Sequence, residues 1–77
     1  MVTGMVLIRF AAGKEKAALV GIRAVKGVRE VKGVFGKWDA VATVEAGDLN
    51  DLAALVVGKL RAIPGVITTD TLITAQL

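Results

Sequence analysis

The order of elements written into this 77-residue sequence is βαββαβ, an α+β fold in which a four-stranded antiparallel sheet carries two helices on one face. Two observations predict it. The stretch Ala17-Ala18-Leu19-Val20-Gly21-Ile22-Arg23-Ala24-Val25-Lys26-Gly27-Val28 returns as Ala53-Ala54-Leu55-Val56-Val57-Gly58-Lys59-Leu60-Arg61-Ala62-Ile63-Pro64-Gly65-Val66 with two residues inserted, and Ala12-Gly13 returns as Ala46-Gly47. Such a repeat means one supersecondary unit used twice. Within each copy a helix-periodic run stands between two runs of strand-forming residues, which makes each unit a βαβ.

The first strand is read from Met5 to Phe10, rich in Val, Ile and Leu, and the first helix falls on the repeated segment after it. Gly27 is read as the residue that stops this helix in a left-handed conformation. A second strand then runs from Val28 to Phe35, and Gly36-Lys37-Trp38-Asp39 forms the hairpin connection to a third strand, Ala40 to Glu45. In the second helix Leu49, Leu52, Ala53, Val56, Leu60 and Ile63 form one apolar stripe that covers a sheet. Asp48 is its N-cap, with Asp51 three residues on in a weak capping box. The second helix is the longer one: its Gly-to-Arg interval is fourteen residues against ten, about one turn more. Gly21 and Gly58 inside the helices are read as permitting close helix approach, and Gly65 as the second stop. The last strand is Val66 to Leu77, with Ile67, Thr69, Thr71, Ile73, Ala75 and Leu77 on one face.

Two βαβ units with right-handed crossovers give the ferredoxin-like arrangement, and its second sheet face is left bare. That face is expected to expose β-branched and apolar side chains well beyond a few hundred Å², the mark of an interaction surface, so face-to-face dimerisation is predicted.

Composition points the same way. The chain, 1–77, is one domain, and a domain of this size buries only about 60% of the surface of its unfolded chain. Yet 55% of residues are hydrophobic and nine more are Gly. Disulfides are closed to a chain without Cys, and a zinc staple to one without Cys or His, so burial in an oligomer is what remains. The apolar runs are far short of the roughly 18 residues a membrane span needs, and the start has neither the charged region nor the cleavage site of a signal peptide. No membrane contact and a cytoplasmic location are the expectation.

A net charge of +3 and pI near 9.7 invite a nucleic-acid reading. Eight of the ten basic residues lie in the first 37, but Glu15 and Glu30 are interleaved with them and no aromatic residues stand between as stacking platforms, so a solvated surface without direct nucleic-acid contact is expected. Without His or Cys the usual nucleophilic triads are absent, and the seven acidic residues form no pair spaced for acid/base work. The glycines make no phosphate loop, so no cofactor is expected.

The residues themselves resemble a known family. The helix end Arg23-Ala24-Val25-Lys26-Gly27-Val28, the strand Arg29-Glu30-Val31-Lys32-Gly33-Val34-Phe35, the hairpin followed by Ala40-Val41-Ala42-Thr43-Val44-Glu45, and the tail Arg61-Ala62-Ile63-Pro64-Gly65-Val66-Ile67-Thr68-Thr69-Asp70-Thr71 are similar to the effector-binding (RAM) domain of Lrp/AsnC regulators. Full-length members carry a helix-turn-helix domain before this module, whereas this chain starts at the first strand, which suggests a stand-alone sensor. The resemblance implies no enzyme but dimers that pair through their sheets, rings of dimers, free amino acids bound between dimers, and co-assembly with full-length Lrp/AsnC relatives.

It also implies roles. Gly36 and Asp39 have two readings: ordinary tight-turn chemistry, or, from the resemblance, a hairpin whose backbone holds the ligand's amino and carboxylate ends with Lys37 alongside. Trp38, the single Trp, is expected at a subunit contact with ligand contact open to it. Thr69 and Thr71 are read either as strand formers or as hydroxyl contacts to the ligand. Two rivals are a dimeric α+β barrel enzyme of monooxygenase or isomerase type, with Trp38 and Asp39 as its machinery, and a structural module without ligand.

Overall fold

The computed structural model describes residues 1–74, so the part of the last predicted strand at 75–77 lies outside the described residues. The elements are β1 (Val2–Phe10), α1 (Glu15–Arg23), β2 (Val28–Gly33), β3 (Ala40–Ala46), α2 (Leu49–Leu55), a π-helical turn continuing it (Val56–Leu60) and β4 (Val66–Ile73). They form one antiparallel sheet in the order β2-β3-β1-β4. This is the predicted βαββαβ, ferredoxin-like fold.

Alternation along the two central strands decides the faces. Val6, Ile8, Phe10, Ala40, Ala42 and Val44 are buried and meet Ala18 and Ile22 of α1 and Leu52, Val56 and Leu60 of the second helix. Small Ala side chains on β3 leave room for the large ones of the helices, which is how a thin two-layer core fills to native density. No helix among the described residues is long and apolar enough to cross a membrane.

The repeat is a structural near-symmetry. A shift of 34 positions carries Ala12 onto Ala46, and the same shift carries Leu7 onto Val41, which is its partner in the β1–β3 ladder. The approximate twofold axis therefore passes through the Leu7–Val41 pair. Matched hydrogen bonds support it: the N–H of Ala11 donates to the Gly65 carbonyl and the N–H of Glu45 to the Gly27 carbonyl, both at 2.8 Å.

Several boundaries differ from expectation. β1 begins at Val2, three residues early, because pairing with Ala46 and β4 recruits Thr3 and Gly4 despite weak strand propensity. A Cβ on Gly4 would stand 3.1 Å from the Leu72 carbonyl, so the glycine lets β4 approach. β2 ends at Gly33, not Phe35. Gly27 and Gly65 do not end the helices directly. α1 stops at Arg23, and the glycines take the third place of two equivalent turns, closed by Val28 N–H to Val25 carbonyl and Val66 N–H to Ile63 carbonyl. Both have positive φ, 104° and 99°, as the third residue of a Pro-Gly type turn requires.

The second helix is longer, as expected, but not α-helical throughout. The Arg61 N–H donates to Val56 carbonyl, five residues back. Leu52, Val56 and Leu60 are spaced by four, and each such step advances an α-helix about 40° past a full turn. One wider turn cancels that drift and returns Leu60 to the core. Gly21 does allow a close approach, its virtual Cβ lying 3.1 Å from Ile63, whereas Gly58 faces open space and has no packing role.

The sheet face away from the helices is less uniformly apolar than predicted. Met5, Leu7, Val41 and Leu72 form its centre, and Arg9, Glu30, Lys32, Glu45 and Asp70 surround them. An Arg29–Glu45 ion pair sits on its β2 side. An apolar centre with a charged rim is the anatomy of a protein interface.

Candidate hairpin and groove

Between β2 and β3 the chain makes a six-residue loop, 34–39, closed by the Val34 N–H donating to the Asp39 carbonyl at 2.9 Å. Gly36 carries the loop's left-handed turn with φ 125° and nothing within 4 Å of a virtual Cβ, so the need there is conformational, not steric.

Asp39 ties the loop to the sheet twice. Its N–H donates to the Ile8 carbonyl at 2.9 Å, and its Oδ2 accepts from the Phe10 N–H at 2.8 Å. The carboxylate thereby completes the β1–β3 ladder where β3 has already turned away. The turn reading of Asp39 is thus occupied, with a long-range partner that turn chemistry did not anticipate. A ligand reading has to work with an oxygen that already holds one backbone N–H.

Trp38 is half-buried within the single chain, while Lys37 is exposed. The fully exposed aromatic of the loop is Phe35, at 104%, with Val34 also exposed beside it. Reading Phe35 as the end of a strand missed this. The signal available was Gly33, after which a hairpin closing on Asp39 leaves Phe35 outside the ladder.

Thr69 and Thr71 lie on β4, on the sheet face that carries the helices, opposite Ile8 and Val6. Both are half-buried, because β4 is an edge strand only partly covered. Thr69 is two strands, about 10 Å, from Ala40 at the hairpin base, and Thr71 a further 7 Å or so along. Within one chain, therefore, Gly36, Lys37, Trp38 and Asp39 cluster, Thr69 borders them across β1, and Thr71 belongs elsewhere. It lines an apolar groove of about 230 Å³ between β4 and the second helix, with Leu49, Leu52, Val56, Val57 and Ile73. The groove was not foreseen, since it exists only where the helix crosses the edge strand.

The family model described as the Lrp/AsnC ligand binding domain matches residues 3–76. A protein of Pyrococcus furiosus named an uncharacterized HTH-type transcriptional regulator is 35% identical over 74 residues, covering 92% of this chain and 49% of its own length. The chain thus spans about half the length of the curated relatives it matches. A solved protein of Thermus thermophilus superimposes with a TM-score of 0.93 at 32% identity, covering 100% of this chain and 96% of its own. A transcriptional regulator of Neisseria meningitidis, solved as a complex with L-Met, shares the fold at a TM-score of 0.88 and 14% identity over 97% of this chain and 50% of its own.

Proposed function

We propose that this chain, which belongs to the Lrp/AsnC ligand binding domain family, is a small-molecule sensor that pairs through its open sheet face, assembles further, and binds a free amino acid between subunits at the 34–39 hairpin. The observation that carries this reading is the hairpin itself. Its base is anchored by Asp39 to Ile8 and Phe10, while its tip keeps exposed backbone at Gly36 and Lys37 with a cation beside it. Fixed backbone donors and acceptors with little freedom to lose are what bind an amino acid's carboxylate and ammonium ends at low entropic cost. The L-Met complex of the Neisseria protein and the regulator names of the curated relatives support an amino-acid ligand and a regulatory role. Thr69 borders the hairpin and serves the ligand through its hydroxyl. Thr71, set apart within one chain, reaches a ligand only from a neighbouring subunit. The response goes to transcription through full-length relatives that share the same domain.

A thermal-shift screen against the common amino acids, with light scattering on the same samples, tests the reading. A ligand at roughly 100 times its Kd stabilises the binding state by about 2.7 kcal/mol, a rise of many degrees for a domain of this size. One or a few amino acids are expected to raise the midpoint, and Thr69→Val, which removes the hydroxyl without entering the hairpin, is expected to reduce the rise while the mass of the assembly is kept. A chain that melts at one temperature in the presence of every amino acid would overturn the sensor.

A further inference from the structure

We propose that Phe35 is a knob that seats in the groove between α2 and β4 of a second copy of this chain; the proposal rests on the oligomer reading and specifies its contact beyond the sheet-to-sheet pair. The two surfaces are complementary and unsatisfied. Phe35 is 104% exposed at the hairpin tip with Val34 beside it. The groove is lined by Leu49, Leu52, Val56, Val57, Thr71 and Ile73, and of these Leu49 and Val57 are themselves 55% and 61% exposed. An apolar cavity of about 150 Å³ already accommodates a benzene ring, so a groove of about 230 Å³ takes a phenyl group.

The contact cannot form within one chain. Phe35 lies beyond the Gly33–Ala40 pair, at the Phe10 end of β1, on the side of edge strand β2. The groove lies at the other end, where Gly4 pairs with Ile73 of the opposite edge strand. Six residues of β1 separate those ends, about 20 Å. Knob and hole on one chain, out of each other's reach, make a heterologous contact, which propagates from copy to copy and closes into a ring when the rotation allows. Charge agrees with this seating. Lys37 is the exposed charge of the tip, since Asp39 is turned to Phe10, and the helix that walls the groove begins with exposed Asp48 and Asp51. The π-helical turn contributes as well, because it is the turn that presents Val57 at the groove while Val56 and Leu60 stay buried.

Sedimentation velocity on the whole chain tests it with Phe35→Ala, which removes the knob, and Val57→Asp, which blocks the groove. Both positions are exposed, and unchanged circular dichroism checks the fold. Association beyond the dimer is expected to weaken about 10- to 100-fold in each variant, the effect of one phenyl group returned to water. Mixing the two variants is expected to restore larger species that neither forms alone, since one supplies grooves and the other knobs. A wild-type chain that never exceeds a dimer overturns the assembly reading and this contact together. Wild-type assembly that survives either substitution overturns the contact alone. A free apolar amino acid whose binding is lost in Val57→Asp and kept in Phe35→Ala would make the groove a ligand pocket and overturn the seating.

Discussion

Among single residues, Asp39 shows how one side chain joins local turn and long-range fold. Its carboxylate receives the N–H of Phe10, 29 positions away in sequence. Removing an acceptor from a partly buried N–H costs about 1–3 kcal/mol. Asp39→Ala is therefore expected to lower stability in urea by an amount in that range, and Asp39→Asn, which keeps one acceptor oxygen, by about half as much. Loss of ligand response in Asp39→Ala would by itself report a loosened hairpin, which is why Thr69→Val, outside the loop, is the cleaner probe of binding. The turn character of Gly36 and Asp39 was legible in their residue types. The partner Phe10 was not, because it is supplied by another strand, and Phe35 was misread because Val-Phe after a strand looks locally like more strand.

Among the elements, the two helices carry matched glycines with opposite roles. Gly21 is pressed against Ile63, its virtual Cβ only 3.1 Å away, and Gly58 faces open space on the π-helical turn. Glycine in a helix interior costs about 1 kcal/mol relative to alanine. Gly58→Ala is accordingly expected to raise the thermal midpoint by an amount equivalent to about 0.5–1 kcal/mol, and Gly21→Ala to raise it less or not at all, because the Ile63 side chain must give way to the new methyl; differential scanning calorimetry of both variants reads the difference directly. The length difference between the helices was visible as residues inserted in the repeat. That part of the insertion is taken up as a π turn was not visible, since only the core position of Leu60 demands it. The N-cap at Asp48 was legible in full, with its Oδ1 accepting from the Asp51 N–H at 2.8 Å, because capping is settled within four residues.

For the molecule as a unit, the open sheet face and the hairpin–groove pair give the chain two independent surfaces for its own copies. Leu7 lies at the pseudo-twofold centre of the open face, paired with Val41. In an isologous contact, residues near the axis meet their own counterparts. Leu7→Glu is thus expected to bring two like charges together without water and to abolish the sheet-to-sheet pair, so that light scattering of the double variant Leu7→Glu/Phe35→Ala reads the 8.0 kDa chain. Retention of a dimer in that double variant would move the pairing surface away from the sheet face. Losses at Leu7 and at Phe35 are expected to differ in kind, the first leaving copies joined only by hairpin and groove and the second leaving sheet-paired dimers.

The list and order of the elements, the internal repeat, the N-cap of α2 and the family resemblance were all readable along the linear chain. They rest on periodicity, residue type and short-range chemistry, which every chain segment carries with it. Folding in three dimensions settled the rest: where β1 starts and β2 stops, that Gly27 and Gly65 launch strands instead of closing helices, that Asp39 serves Phe10, and that Thr71 lies in an apolar groove while Phe35 stands free. Each of these depends on which segments lie side by side, and hydrogen bonds or packing between residues far apart in sequence outweigh the local preferences that a linear reading can use.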